Sequence, residues 1–217
     1  MSALLEQRPE AGSFRFVLRN ETRAEHQSLD ANPAFGALLD GTLGLDGYRR
    51  LMLAFHGLYS QIDGPLRDGC DLHGAARSGF VYQPRSPMLG QDLGGLGVSP
   101  AVSRRIPSDE IGALTGSNGS LVGTLYVVEG SLLGGATLYK STELLLENFG
   151  ASGNSYWQWC REAGGRRWAM TCDLIDDTAK TEAGKREMIA AAQLAFGLFN
   201  RCLSPLAGFK RLEDVTC

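Results

Sequence analysis

The chain has 217 residues, 43% of them hydrophobic, which is enough to build one full hydrophobic core. A formal net charge of −3 and the lack of a basic block argue against binding to nucleic acid or to an anionic membrane. No apolar run approaches the roughly 20 residues that span a bilayer, and we expect no secretory signal at the N-terminus. Five cysteines without a C-x-x-C pair favour a cytoplasmic protein that has neither a disulfide framework nor a zinc site.

Apolar residues recur at helical spacing along most of the chain, and no segment alternates with period two over the length of a strand. We therefore predict an all-α fold, a single-domain helical bundle of about seven to eight helices over residues 13–217, preceded by a flexible tail over residues 1–12. Residues 84–119 are rich in proline and glycine, so we expect a connection there apart from one short helix. The expected helices are Ser13–Asp30, Ala34–Leu39, Gly47–Arg67 with Asp46 as its cap, Pro87–Leu96, Ser120–Asn148, Tyr156–Arg161, Arg167–Asp176 and Glu182–Leu203.

The first helix carries a histidine in a basic setting. His26 shares a stripe with Arg19, which lies two turns or ~10 Å before it, and Arg23 stands beside that stripe. A neutral imidazole can ligate a porphyrin iron, and cations suit the propionates at the porphyrin edge. The alternatives are a half-buried structural histidine and arginines on an ordinary solvated face.

The helix expected over Ser120–Asn148 has apolar residues on one side and glycines on the other. The apolar side consists of Leu121, Leu125, Val128, Leu132 and Tyr139. The opposite side holds Gly119, Gly123, Gly130 and Gly134, with Gly135 beside them. Each glycine costs ~1 kcal/mol relative to alanine in a helix interior, so the stripe indicates that something approaches the backbone closely. Either another helix or a flat ligand satisfies that condition.

Two motifs resemble the haem oxygenase family. Leu18–His26 is similar to the family's proximal helix, L-(K/R)-x-x-T-(K/R)-x-x-H, and Leu125–Gly135 is similar to its bacterial distal helix, L-Y-V-x-E-G-S-x-L-G-G. Weaker similarities at Pro87–Gly97, Arg167-Trp168 and Ala195-Phe196 follow in the same order, so the resemblance covers about residues 14–205. The chain looks most like the bacterial biliverdin-producing type, including the members associated with bacteriophytochromes.

The resemblance implies that haem is sandwiched between the first helix and the Gly-rich helix. It gives the axial metal ligand as His26, and the residues that contact the propionates or the ring as Arg19, Arg23, Tyr126 and Phe196. It gives the distal residues that direct the reaction as Gly130, Gly134, Gly135 and Ser131, the serine standing where animal members have an aspartate. Many members add a propionate-binding arginine from a late helix, for which the candidates are Arg161, Arg166 and Arg167. By helical angle Glu129 points away from both stripes, so we interpret it as a structural carboxylate.

The implied activity is the oxidative ring opening of haem, which serves as both cofactor and substrate. The products are biliverdin, CO and ferrous iron, and the reaction uses O2 and electrons from an external reductase or ferredoxin. A phytochrome as biliverdin acceptor and iron acquisition are the two purposes that the resemblance leaves open. Three other functions also stay open: a non-catalytic haem-binding or haem-transfer protein, a haem-free helical enzyme on the same scaffold, and an interaction module whose glycines serve only packing.

Overall fold

A computed structural model describes residues 13–100 and 105–204, and over these ranges the protein is helical, without a strand. This confirms the predicted all-α fold. The predicted tail over residues 1–12 and the end of the chain from residue 205 lie outside the described residues. The helices are α1 Arg15–Glu21, α2 Arg23–Asp30, α3 Pro33–Leu39, α4 Leu45–His73, α5 Ser86–Gly95, α6 Ser108–Thr115, α7 Asn118–Phe149, α8 Ser155–Thr178 and α9 Glu182–Leu203, with a short 3-10 turn at Ala75–Ser78.

The helices differ from the sequence prediction in several places. The first helix divides at Thr22, whose hydroxyl donates to the Leu18 carbonyl at 2.7 Å and whose backbone leaves helical geometry. Conversely, α8 runs unbroken through Gly164-Gly165, because Gly164 packs closely against Leu132 of α7. Helix α6 lies inside the segment that we expected to be a connection.

Helix α4 begins two residues before its predicted start. Its N-cap is Gly44, and Asp46 stands in the first turn, where it accepts a hydrogen bond from Arg49 at 2.8 Å. The prediction that Asp46 caps this helix is therefore wrong. The helix ends at His73, and the Gly74 that follows has a φ of +73°, the left-handed conformation that favours glycine just after a helix C-terminus.

Helix α7 is the central element and packs against both α8 and α9. The predicted apolar residues Leu121, Leu125, Val128 and Leu132 are all fully buried, and Tyr139 is partly buried. By length and composition alone α7 could cross a membrane, but 67% of its apolar window is buried inside the protein, as in the core helix of a soluble protein. The hydrophobic core therefore forms around the element that also carries the glycine stripe.

The N-terminal half of the glycine stripe is a helix-packing surface. A Cβ on Gly123 would lie 2.7 Å from the Met188 Cα of α9, and one on Gly119 would lie 2.6 Å from the Glu187 Cβ. Both distances are shorter than real side chains tolerate, so α9 can approach α7 only where these glycines stand. Of the two explanations for the stripe, helix packing is thus correct for this half.

Candidate active site

A cavity of about 1210 Å³ lies between α1–α2 on one side and α7 on the other. Every site residue predicted from the sequence lines this cavity: Arg19, Arg23, His26, Tyr126, Gly130, Ser131, Gly134, Gly135 and Phe196. Aromatic side chains supply much of the remaining wall, namely Phe16, Phe35, Phe55, Tyr156, Trp157, Trp168 and Phe199. The fold therefore brings together residues that are more than 100 positions apart in the chain.

On the α2 side, His26 is oriented by its own helix. Its Nδ1 lies 2.9 Å from Oδ2 of Asp30, one turn later, and its ring meets the Phe196 ring edge-on at 5.5 Å. The imidazole side chain is 55% exposed. A hydrogen bond from Nδ1–H to Asp30 fixes the tautomer in which Nε2 carries the free lone pair. Sequence reasoning did not single out Asp30, although its i,i+4 spacing from His26 was a usable signal.

The α7 side of the cavity is a surface of backbone. A Cβ on Gly134 would meet nothing within 4 Å, so the space above this residue is open cavity. A Cβ on Gly130 would lie 3.3 Å from the Trp168 ring, which leaves a narrower gap there. Gly135 also lines the cavity, but its Cβ would lie 2.9 Å from Sγ of Cys160, so its lack of a side chain also serves packing against α8.

One hydroxyl group interrupts this backbone surface. Ser131 Oγ donates to the Val128 carbonyl at 2.8 Å and lies 3.4 Å from the Tyr59 hydroxyl. Since the single serine proton is used by Val128, Tyr59 is the donor in that second contact. The Tyr156 hydroxyl in turn donates to Tyr59 at 3.5 Å, so the hydroxyls form a directed chain that ends at Ser131.

The two tyrosines of this chain are fully enclosed. Burial raises the pKa of Tyr59 to about 12, although the charge of Arg85 opposes the shift. Burial also raises the pKa of Tyr156 well above its ordinary value. Both phenols therefore keep their protons at neutral pH and act as donors. Helical periodicity alone can place Tyr59 only on the core-facing side of α4, because its contact with Ser131 depends on how α4 packs against α7.

The edge of the cavity formed by α1 and α2 is basic. Arg19 and Arg23 are exposed, and neither forms an ion pair within the described part of the chain. Arg23 donates to Oδ1 of Asn20 at 3.1 Å. The Tyr126 hydroxyl lies near Thr22 and Arg19; burial raises its pKa, while these two neighbours oppose that rise. Two guanidinium groups and a phenol are thus available to a ligand with acidic groups.

None of the three late-helix arginines considered from the sequence lines the cavity. The Arg161 guanidinium lies over the Tyr139 ring at 4.2 Å, and Arg166 is exposed on α8. Arg167 donates to Glu129 from Nε at 2.7 Å and from Nη2 at 2.8 Å. Within the described residues, the arginines that line the cavity therefore come from α1 and α2.

Glu129 is fully buried behind the glycine surface of α7. Burial alone would raise the pKa of its carboxyl group, but the guanidinium groups of Arg85 and Arg167 hold that pKa below its ordinary value. The carboxylate does not line the cavity. This placement matches the prediction of a structural carboxylate on the far side of the helix.

The fold and the cavity together define a helical protein that can enclose a flat ligand between a histidine and a glycine-faced helix. A model of the family described as "Heme oxygenase" matches residues 13–204. This match spans most of the chain, and the protein belongs to the haem oxygenase family.

Individual relatives agree with this assignment. A heme oxygenase from Xanthomonas campestris pv. campestris is 29% identical over 170 residues, which cover 77% of this chain and 95% of that protein. The solved structure of heme oxygenase from Neisseria meningitidis, bound to NO and CO, has a TM-score of 0.71 at 24% identity and covers 92% of this chain and 94% of its own. Heme oxygenase-2 of Synechocystis, solved with heme and NO, has a TM-score of 0.70 at 18% identity, covering 90% of this chain and 85% of its own. At these identities the solved structures establish the shared fold.

Proposed function

We propose that this protein is a haem oxygenase that binds haem in the cavity between α2 and α7 and opens the ring oxidatively. The proposed products are biliverdin, CO and ferrous iron, formed with O2 and with electrons from a separate donor protein, a reductase or ferredoxin. The observation that carries the proposal is the pairing, across one cavity, of His26 with the glycine surface around Gly134. Family membership supports the same activity.

The cavity fits haem in size and in chemistry. Its volume of about 1210 Å³ exceeds the roughly 300–1,000 Å³ of most small-molecule sites, as a large macrocycle requires. Aromatic rings supply apolar walls, and the open space above Gly134 leaves room for a flat face against the backbone. The donor set is equally suitable, since it combines an imidazole with unpaired guanidinium groups.

His26 is proposed to ligate the iron through Nε2. Asp30 accepts a hydrogen bond from Nδ1–H, which orients the imidazole ring and raises its basicity as a ligand. Phe196 supports the ring from its edge. A neutral imidazole pushes less electron density onto the iron than a thiolate does, so this ligand suits a reaction in which the O–O bond is not cleaved early.

Arg19, Arg23 and Tyr126 are proposed to hold the two propionates. The arginines are cations without a carboxylate partner in the described structure, so a propionate can pair with them without displacing an existing ion pair. The Tyr126 phenol adds a neutral donor on the same edge, because burial keeps it protonated. These three groups define which edge of the ring faces α1 and α2.

The distal residues are proposed to direct the reaction by shape and by one hydroxyl group. When bound, haem supplies the iron that activates O2 and the meso carbon that is attacked. Gly130, Gly134 and Gly135 let the backbone of α7 lie close to the ring and limit where a small second reactant can fit. Ser131 Oγ, which already accepts from Tyr59, offers its remaining lone pair to a water molecule in the cavity. That water can pass a proton toward the reacting atoms.

The test compares wild type with His26→Ala. Each protein is titrated with ferric haem while the Soret band is recorded, and the complex then receives an electron donor and O2 with catalase present. We expect a 1:1 wild-type complex whose Soret position depends on His26, followed by loss of the Soret band and growth of biliverdin absorbance. Binding without ring opening would indicate a haem carrier. Absence of specific binding would mean that the glycine stripe serves only packing.

A further inference from the structure

A cluster of three buried charged side chains lies behind α7, on the side away from the cavity. Glu129 accepts from Arg85 Nη2 at 2.6 Å and from Arg167 Nε and Nη2 at 2.7 and 2.8 Å. Arg85 and Glu129 are 0% exposed and Arg167 is 8% exposed. Each charge has therefore been removed almost completely from water.

Stability alone does not account for such a cluster. Burial of charges carries a desolvation penalty that their mutual attraction often only offsets, and well-packed apolar residues of the same volume are frequently as stable or more so. What ion pairs provide beyond apolar contacts is direction, because a carboxylate and a guanidinium meet in a planar, bidentate geometry. The cluster therefore fixes the position of the element that carries Glu129.

That element is the stretch of α7 that lies over the cavity. Glu129 directly precedes Gly130 and Ser131, two of the residues that form the cavity surface. A glycine surface has no side chain that could interlock with a partner, so on the cavity side this segment is held only by the Trp168 ring near Gly130 and by the weak contact of Tyr59 with Ser131. The charged contacts of Glu129 add a directional constraint from the opposite face.

The partners of Glu129 connect it to two other helices, α8 and α4. Arg167 is followed on α8 by Trp168, whose ring packs directly against Gly130. On the other side, the backbone N–H of Arg85 donates to Asp63 of α4 at 2.9 Å. Asp63 stands one turn after Tyr59, the residue whose hydroxyl reaches Ser131. The carboxylate of Glu129 thus links α7 to α8 directly and to α4 through Arg85.

We propose that Glu129, acting through Arg167 and Arg85, is a positioning residue that sets the placement of Gly130 and Ser131 over the cavity. Its role in catalysis rests on the proposed haem oxygenase activity, whereas its role in fixing α7 does not. Loss of the carboxylate charge leaves His26 and the basic edge untouched. It loosens the α7 segment that faces them and displaces the Ser131 hydroxyl.

The experiment uses Glu129→Gln in the full chain, with Glu110→Gln as the matched control. Glu110 also pairs with an arginine, Arg201 of α9, but it lies on α6 and does not line the cavity. Amide hydrogen exchange is measured on the haem-free proteins. For Glu129→Gln we expect exchange over residues 126–135 to rise roughly tenfold above that of the rest of the core, and for Glu110→Gln we expect no change there.

The second measurement is the C–O stretching frequency of the ferrous CO complex, which reports hydrogen bonding on the distal side. We expect this frequency to shift in Glu129→Gln at nearly wild-type haem affinity, together with a roughly tenfold slower ring opening, since small misplacements near reacting groups are costly. A uniform rise of exchange across the core with an unshifted frequency would overturn the positioning role.

The proposal can still be tested if Glu129→Gln does not fold or if the wild type binds no haem. Should Glu129→Gln fail to fold, Arg167→Lys keeps the charge but loses the bidentate fork, and the same local exchange and frequency shift are expected; their absence overturns the proposal. Should the wild type bind no haem, the proposed function fails, while exchange in the haem-free proteins still decides whether Glu129 fixes α7.

Discussion

Asp30 and His26 are joined by a 2.9 Å contact across one turn of α2, and this contact assigns opposite roles to the two imidazole nitrogens. Nδ1 is committed to the carboxylate, whereas Nε2 is left with a free lone pair on the ring that lines the cavity. Both side chains are more than half exposed, so the contact orients the ring without burying it. The pair therefore orients the proposed ligand and adds little to the stability of the helix, since exposed pairs of this kind contribute little to stability.

Replacement of Asp30 by alanine should weaken haem binding while leaving the fold intact. Loss of a hydrogen-bond partner behind a metal-ligating histidine typically costs about 10–100-fold in affinity, and we expect that range for Asp30→Ala in a haem titration. Glu21→Ala is the control, because Glu21 is an exposed carboxylate on α1 that does not line the cavity. Equal affinities for the two variants would mean that Asp30 does not orient His26.

Substitution of Gly134 by leucine should block the cavity without lowering the stability of the fold. The position is open, so the side chain would project into the cavity, and the helix itself gains up to ~1 kcal/mol of propensity. We expect Gly134→Leu to melt at or above the wild-type temperature yet to show greatly reduced haem binding and ring opening. Gly165→Leu makes the same change at an equally open position of α8 outside the cavity. This control should leave haem binding and ring opening unchanged.

The two halves of the glycine stripe should respond oppositely to alanine. At Gly123 a methyl group would collide with the backbone of α9, and such overpacking costs typically 1–3 kcal/mol, so we expect Gly123→Ala to be destabilised by about that amount. At Gly134 the methyl group meets nothing, and the free energy of unfolding should rise by up to ~1 kcal/mol. Denaturant unfolding of the two variants measures both values. Destabilisation of equal size at both positions would contradict the division of the stripe.

That division shows where sequence reasoning was sufficient. Helical periodicity predicted the buried face of α7 through Leu121, Leu125, Val128 and Leu132, because a residue's position on a helix follows from its number alone. Of the nine predicted lining residues, eight come from two local motifs, each within about ten positions, and Phe196 comes from a weaker similarity on the last helix. The sequence could not separate Gly123 from Gly134, since the difference lies in whether α9 or empty space stands opposite.

The remaining parts depend on long-range packing. The contact of Tyr59 with Ser131 joins residues 72 positions apart, and the approach of Arg85 to Glu129 spans 44 positions. Neither has a periodic signal, because each requires the mutual placement of whole helices. The continuity of α8 through Gly164-Gly165 is a similar case: local propensity predicts a break, and packing against Leu132 overrides it.

The two arginines at the edge of the cavity, Arg19 and Arg23, should recognise the negative charge of the haem propionates. Removing both cations with the double substitution of Arg19→Gln and Arg23→Gln should weaken haem affinity by roughly tenfold or more, since each exposed ion pair contributes up to about 1 kcal/mol. Haem dimethyl ester, which has no propionate charge, should bind wild type and double variant alike. Arg166→Gln removes an exposed α8 cation outside the cavity and should leave both affinities unchanged. A double variant that loses affinity for haem and for the ester equally would contradict propionate recognition.

The buried tyrosines should lower the free energy of unfolding at alkaline pH. The pKa of Tyr59 is about 12 in the folded protein and about 10 in an unfolded chain, so above pH 10 the unfolded state releases a proton that the folded state retains. Stability is therefore constant for this group below pH 10 and falls as pH rises from 10 to 12, by about 1.4 kcal/mol per pH unit. Tyr59→Phe should remove this part of the slope in denaturant titrations at pH 9, 10 and 11. At pH 7 the same variant should bind haem normally but open the ring more slowly, because Ser131 loses the donor that orients it. An unchanged alkaline slope would place the Tyr59 hydroxyl in contact with solvent.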